Sequence, residues 1–186
     1  MQAASDEDLV RRIAGGDSLA MRSLYARHHL RVFRFLQHLL RDEATSEDAL
    51  SEVFLDVWRQ AGRFEERSAV STWLLAMARN KAWSALRKRR EAALDDGVAE
   101  AMEDEADDPE VQIQKSDKGA AIRLCMEKLS PEHREVLDLV YYHDSSVEEV
   151  SMIVGIPENT VKTRLFHARK KLAEVLKANG IDRGWP

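Results

Sequence analysis

An all-α fold follows from three features of the 186-residue chain. Apolar residues recur at three- and four-residue spacing through nearly every patterned stretch, and no stretch alternates apolar and polar as a half-buried strand does. Ser, Thr or Asp residues that open helices stand just before the apolar runs. Between Glu91 and Gln114 lie ten carboxylates and no Lys or Arg, interrupted by Gly97 and Pro109. Such a stretch cannot bury enough apolar surface to order itself. The expectation is two small helical domains, residues 1–90 and 115–186, joined by an acidic flexible linker at 91–114, with a helix-turn-helix in the second domain.

Taken in order, Ser5 with Asp8 caps a first helix holding Leu9, Val10 and Ile13, which Gly15 and Gly16 end. A second helix keeps Met21, Leu24, Tyr25, Val32, Phe33, Leu36 and Leu40 at helical spacing, with Asp42 marking its end. His28, His29 and His38 read as surface or partly buried imidazoles, because no His or Cys set has zinc spacing. Thr45 with Asp48 reads as a capping box for a third helix whose core face is Ala49, Leu50, Val53, Phe54, Val57 and Trp58, with Gly62 as a cap. The opposite face carries Glu47, Asp48, Ser51, Glu52 and Asp56, suited either to solvent or to a basic partner helix.

Arg63 to Val70 reads as a polar loop with an exposed Phe64. It leads into a helix from about Ser71 carrying Trp73, Leu74, Met77, Ala78, Asn80, Trp83 and Leu86, and ending in Arg87, Lys88, Arg89 and Arg90. Aromatics interleaved with cations suit unstacked bases and phosphates, although Trp73 and Trp83 would serve equally as core.

Beyond the acidic run, a helix from about Lys115 with Ile122, Cys125, Met126 and Leu129 reaches Ser130, which caps the next with Pro131 at its first position. Val136, Leu137, Val140 and Tyr141 then pack under the final pair of helices. Ser146 and Glu149 form a capping box ahead of Val147, Val150 and Val154. Gly155 and Pro157 supply the tight turn.

In the last helix Val161, Leu165, Ala168 and Leu172 make the buried stripe. Asn159, Thr163, Phe166, His167 and Lys170 face the other way, flanked by Thr160, Lys162, Arg164, Arg169 and Lys171. No carboxylate occurs between Asn159 and Lys171. A solvated helix usually mixes both signs. A face of cations, hydroxyls, an amide and an aromatic suits the major groove, where cations meet phosphates and polar groups meet base edges.

A net charge of −5 argues against a nucleic-acid binder until the charges are located, because Arg79 to Arg90 alone holds six cations and no carboxylate. The lone Cys125 rules out an internal disulfide. No run has the length of a membrane span and no signal peptide precedes the first helix, so a cytoplasmic protein is expected. With no phosphate-binding loop, nucleophile elbow or metal-ligand set, neither an enzyme nor a cofactor is expected.

Four segments together carry a family likeness: SEDALSEVFLDVWRQAGRF, VSTWLLAMARNKAWSALRKRR, LSPEHREVLDLVYYHD and VEEVSMIVGIPENTVKTRLFHARKKL. In this order, split by an acidic linker, they resemble an extracytoplasmic-function sigma factor, a small bacterial RNA polymerase specificity subunit of the kind tied to stress responses. The resemblance implies that residues up to about Arg90 open and read the downstream (minus ten) promoter element, and that the last domain reads the upstream (minus thirty-five) element. It assigns Glu47, Asp48, Glu52 and Asp56 to core polymerase, with Ser51 where many members have Gln. It places Phe64, Ser68 and Ala69 at a flipped base, and Asn80, Lys81 and Arg87 along the single strand. Asn159, Thr160, Lys162, Thr163, Arg164, Phe166, His167 and Lys170 fall to duplex DNA, His167 standing where relatives often carry Arg. An anti-sigma factor is a further implied partner; Leu55 and Leu75 suit either a surface for it or, more readily, ordinary packing. A stand-alone helix-turn-helix regulator is the alternative.

Overall fold

The computed structural model describes residues 4–95 and 118–181, and every regular element among them is helical. The N-terminal bundle consists of α1 (Asp6–Ala14), α2 (Ser18–Leu40), α3 (Glu43–Gln60) and α4 (Val70–Asp95), with a 3-10 turn at Ala61–Arg63. The C-terminal part consists of α5 (Lys118–Glu127), α6 (Pro131–Tyr141), α7 (Val147–Val154) and α8 (Glu158–Ala178). No helix among the described residues is long and apolar enough to cross a membrane.

Three of the expected helix starts are as read. The hydroxyls of Ser5, Ser130 and Ser146 accept from the backbone N–H three residues on, at 3.1, 3.4 and 3.1 Å. The fourth differs, because Asp42 rather than Thr45 caps α3. Its carboxylate accepts from the backbone N–H (2.8 Å) and the hydroxyl of Thr45. Arg41 just before it sits in the left-handed region at φ 58°, so α2 stops and the chain turns within one residue. An Asp at the turn outcompetes a Thr one turn later because it reaches the orphan N–H groups first.

Gly62 is not a cap. The chain tightens into the 3-10 turn at Ala61, where no left-handed residue is needed. Helix α4 starts at Val70 and runs to Asp95, past the Arg90 boundary, since like charge alone does not stop a helix and the next glycine is Gly97. The flexibility expected of the linker falls on residues outside those described.

The bundle core gathers Leu9, Val10, Ile13, Leu24, Phe35, Leu36, Val53, Val57, Leu74 and Leu75, and the second part buries Cys125, Leu137, Val150, Val161, Leu165 and Leu172. Each large side chain so buried contributes about 1.5–3 kcal/mol of transfer free energy. Several assignments move. Trp58 lies 42% exposed instead of in the core, Tyr25 is 41% exposed at the edge of its stripe, and Leu75 is buried in ordinary packing. Phe64 is half-buried against Trp73, ring centroids 4.8 Å apart. Tyr141 lies outside the core and accepts a hydrogen bond from Arg169 at 2.9 Å.

The two parts pack against each other, α6 lying on α2 and α7 on α4. Six consecutive residues of α6, Arg134 to Leu139, are buried. A helix with one solvated face cannot bury six in a row. This one is sandwiched, its apolar side on α8 and its charged side on the bundle.

Candidate nucleic-acid interface

The helix-turn-helix is built as its sequence dictates. Ser146 and Glu149 complete a reciprocal capping box, the Ser146 N–H donating to the Glu149 carboxylate at 2.8 Å. Gly155 takes the left-handed conformation (φ 73°), which a Cβ would strain, and the Ser151 hydroxyl donates to the Ile156 carbonyl at 2.6 Å to brace the turn. Helix α8 therefore leaves α7 at a fixed angle with Val161, Leu165, Ala168 and Leu172 buried.

Asn159, Thr160, Lys162, Thr163, Phe166, His167 and Lys170 all lie exposed on α8. Phe166 is 63% exposed and meets the His167 ring edge-on, centroids 5.4 Å apart. The Thr163 hydroxyl donates to its own helix at Asn159 O (3.0 Å), leaving its methyl and lone pairs outward. The positive field of this face is felt on α6. The His133 imidazole is held below its ordinary pKa, chiefly by burial, with the charges of Arg164, His167 and Lys171 adding to the effect. Arg164 departs from the expected exposed position. It is half-buried, its guanidinium 3.8 Å from the Glu135 carboxylate.

In the first part, Phe64, Ser68 and Ala69 fall on the loop between the 3-10 turn and α4, where Glu66 is left-handed (φ 54°) and accepts from Arg11 at 3.0 Å. Asn80 and Arg87 are exposed on α4, Arg87 lying 3.8 Å from Glu91. Lys81 turns toward α3 instead, its ammonium 2.7 Å from Asp56 and 3.3 Å from Glu52. The Asp56 bond above all raises its pKa, so it stays charged. Glu47, Asp48 and Glu52 are exposed on α3, and Leu55 (52% exposed) and Trp58 share the exposed side. That side is acidic with two apolar projections.

Sequence reasoning missed a set of ionisable groups at the seam between the two parts. Glu135, 1% exposed, accepts from Trp83 Nε1 at 2.5 Å and from Arg79 Nε at 3.2 Å. Burial pushes the Glu135 carboxyl above its ordinary pKa, and these donors only partly offset it. Asp138, equally buried, meets His38 Nδ1 at 2.5 Å. His143 Nε2 lies 3.2 Å from its other oxygen without forming a hydrogen bond to it. Arg134 donates across the seam to the carbonyls of His38 (3.2 Å) and Leu39 (3.4 Å) at the end of α2, and within its own part to Leu129 O (2.8 Å). Burial lowers its pKa to about 10. Arg31 donates to His143 O at 2.6 Å. In the sequence these residues look like an ordinary solvated helix face; only their spacing against the apolar run of α6 could have hinted otherwise.

Comparison with known proteins gives a consistent result. Residues 24–92 match the family described as sigma-70 region 2, and residues 119–172 match sigma-70 region 4. The chain is 34% identical over 167 residues to the RNA polymerase sigma factor CarQ of Myxococcus xanthus, covering 89% of this chain and 94% of that protein. It is 29% identical over 180 residues to the ECF RNA polymerase sigma factor SigK of Mycobacterium tuberculosis, covering 93% and 95%. Among solved structures, the sigma factor RpoE bound to the anti-sigma factor NepR, from Bartonella quintana, matches with a TM-score of 0.70 at 28% identity over 87% of this chain and 98% of that one. CnrH, solved with the cytosolic domain of CnrY, shares the fold with a TM-score of 0.68 at 24% identity, over 94% and 99%.

Proposed function

The chain belongs to the extracytoplasmic-function sigma factors of bacterial RNA polymerase, promoter-recognition subunits and not enzymes, and from that premise we propose how its residues divide the work. Helix α8 enters the major groove of the upstream element. Thr163, Phe166, His167 and Asn159 face base edges, and Thr160, Lys162, Arg164 and Lys170 hold phosphates. The observation that carries this reading is the exposed α8 face, free of carboxylates and held at a fixed angle by the Gly155 turn.

The first domain takes the downstream element as a parted strand. Phe64, Ser68 and Ala69 receive a flipped base, while Asn80, Lys81 and Arg87 follow the backbone along α4. Unpairing costs a few kcal/mol, and stacking returns about 1–3 kcal/mol per captured base. Core polymerase docks on α3 through Glu47, Asp48 and Glu52, with Asp56 shared between that surface and Lys81. Leu55 and Trp58 supply the apolar part of the contact. Two weak grips become strong when polymerase holds both, because the second contact is then intramolecular and gains about 10² to 10⁴ in avidity. An anti-sigma factor is the proposed restraint and the cytoplasm the proposed site of action.

In vitro transcription over a promoter library with core polymerase tests the assignment. Holoenzyme containing this chain should select a two-element promoter. Alanine at Thr163 or Phe166 should cost about 1–3 kcal/mol and relax one upstream position, whereas alanine at Lys162 should weaken all sequences alike. Unchanged selectivity with Thr163, Phe166 and His167 all replaced would sink the recognition-face assignment. Tight duplex binding by the chain alone, with no response to polymerase, would favour a stand-alone regulator.

A further inference from the structure

We propose that Tyr141, at the end of α6, is a positioning residue for DNA binding: it holds Arg169 of α8 as a phosphate clamp beside the duplex-reading face. This goes beyond the reading of α8 as the upstream-element helix and rests on it. Arg169 Nε donates to the Tyr141 hydroxyl at 2.9 Å, and the guanidinium carbon lies 5.8 Å from the centre of the Tyr141 ring. Both side chains are exposed. The guanidinium is thus pinned along one edge. Among the described residues its two terminal nitrogens meet no acceptor, so they remain for one outside the protein. A planar fork of that kind matches two oxygens of a phosphate with parallel hydrogen bonds.

Charge along α8 singles out the same residue. Lys162 and Arg169 are two turns apart, so they share one flank of the helix at a separation of about 10.5 Å along its axis. Arg164 and Lys171 share the other flank in the same way. There each cation faces a carboxylate, Arg164 at 3.8 Å from Glu135 and Lys171 at 3.8 Å from Glu174. Among the described residues no carboxylate lies within ion-pairing distance of Lys162 or Arg169. The phenol of Tyr141 is a neutral acceptor. It fixes the direction of the guanidinium without cancelling its charge, whereas a carboxylate in that place would neutralise it. A directed, uncancelled cation next to a base-reading face suits a phosphate of the same duplex.

The hydroxyl is well placed to do this because its own helix end is fixed. The Tyr142 N–H donates to Asp138 O at 2.9 Å and the Ser145 N–H to Leu139 O at 3.0 Å, and Leu137, one turn before Tyr141, is buried. Helix α6 packs directly on α8. Arg169 is therefore ordered before DNA arrives. A guanidinium already held loses less rotamer freedom on meeting phosphate than a free one does. Such a contact sets the register of α8 on the duplex and reads no base.

Holoenzyme carrying full-length variants, titrated with fluorescent promoter DNA over a salt series, tests the clamp. Tyr141→Phe keeps the ring and every charge but removes the acceptor. It should weaken binding about two- to tenfold while leaving the slope of log affinity against log salt as in wild type. Arg169→Gln should make that slope shallower by about 0.9, the loss of one duplex phosphate contact. In the Arg169→Gln background, Tyr141→Phe should have no further effect, a coupling that a merely structural tyrosine would not show. All upstream sequences should be weakened alike, so selection from a promoter library should be as in wild type. If Tyr141→Phe does not fold by circular dichroism, Arg169→Lys takes its place: it keeps the charge and loses the fork, and the same weakening at unchanged slope is expected.

Wild-type affinity in Tyr141→Phe, or an equal loss from it with and without Arg169, overturns the positioning role. Wild-type affinity in Arg169→Lys overturns the fork. An unchanged slope in Arg169→Gln overturns the phosphate contact. Any of these would leave library selection by the wild-type holoenzyme intact, whereas a wild-type holoenzyme indifferent to the upstream sequence would sink the reading of α8 and the clamp with it.

Discussion

Asp42 opens α3, and its carboxylate accepts from both the N–H and the hydroxyl of Thr45. The Thr45 hydroxyl and N–H, followed by the more distant charge of Arg89, hold its pKa below the ordinary value of 3.8. A carboxylate with a depressed folded-state pKa contributes stability that is present above 3.8 and lost as pH falls through the lower, folded value. Asp42→Asn should keep the cap's acceptor and remove that part of the acid dependence, so melting temperatures of wild type and variant should converge as pH drops below 3.8. A constant difference down to pH 2 or so would count against it. The apolar side chains whose cover the sequence does not report share one cause: periodicity reports which side of a helix is apolar but not how far the neighbouring helix extends over it. Trp58 lies at the rim of that cover and Leu75 beneath it.

The last two helices separate stability from recognition along a single α8. Leu165 is 3% exposed and Phe166 63%, one residue and about 100° apart. Leu165→Ala should cost about 2–5 kcal/mol in urea unfolding. Phe166→Ala should stay within about 0.5 kcal/mol while losing base discrimination. Removing the Ser146 hydroxyl should cost about 0.5–2 kcal/mol without altering which promoters are chosen. Equal destabilisation by Leu165→Ala and Phe166→Ala would contradict the burial pattern. These elements were the most legible in the sequence because each signal is local. A capping box, a left-handed glycine and a four-residue stripe all act within about three turns of chain. The α6 seam was not legible, because Glu135 and Arg79 are brought together only by the packing of two separately patterned units.

At the scale of the whole molecule the seam and the DNA grip should respond oppositely to salt. Glu135 and Asp138 are each 1% exposed, so ions do not reach between them and their partners. The proposed phosphate contacts of Lys162 and Lys170 are open to solvent. Raising salt from about 0.1 M to about 1 M shortens the screening length from roughly 10 to 3 Å. The scattering radius of the free chain should hardly change over that range, while binding of holoenzyme to promoter DNA falls along a straight line on logarithmic axes. A chain that swells with salt would place the seam's strength in exposed charge.

The charged lining of α6 also decides what a parted molecule looks like to its neighbours. Arg134, Glu135 and Asp138, once uncovered, take up water readily, whereas an equal area of leucine would present a sticky face to any passing chain. On the α6 side, parting therefore uncovers charge that water solvates at once rather than a row of leucines.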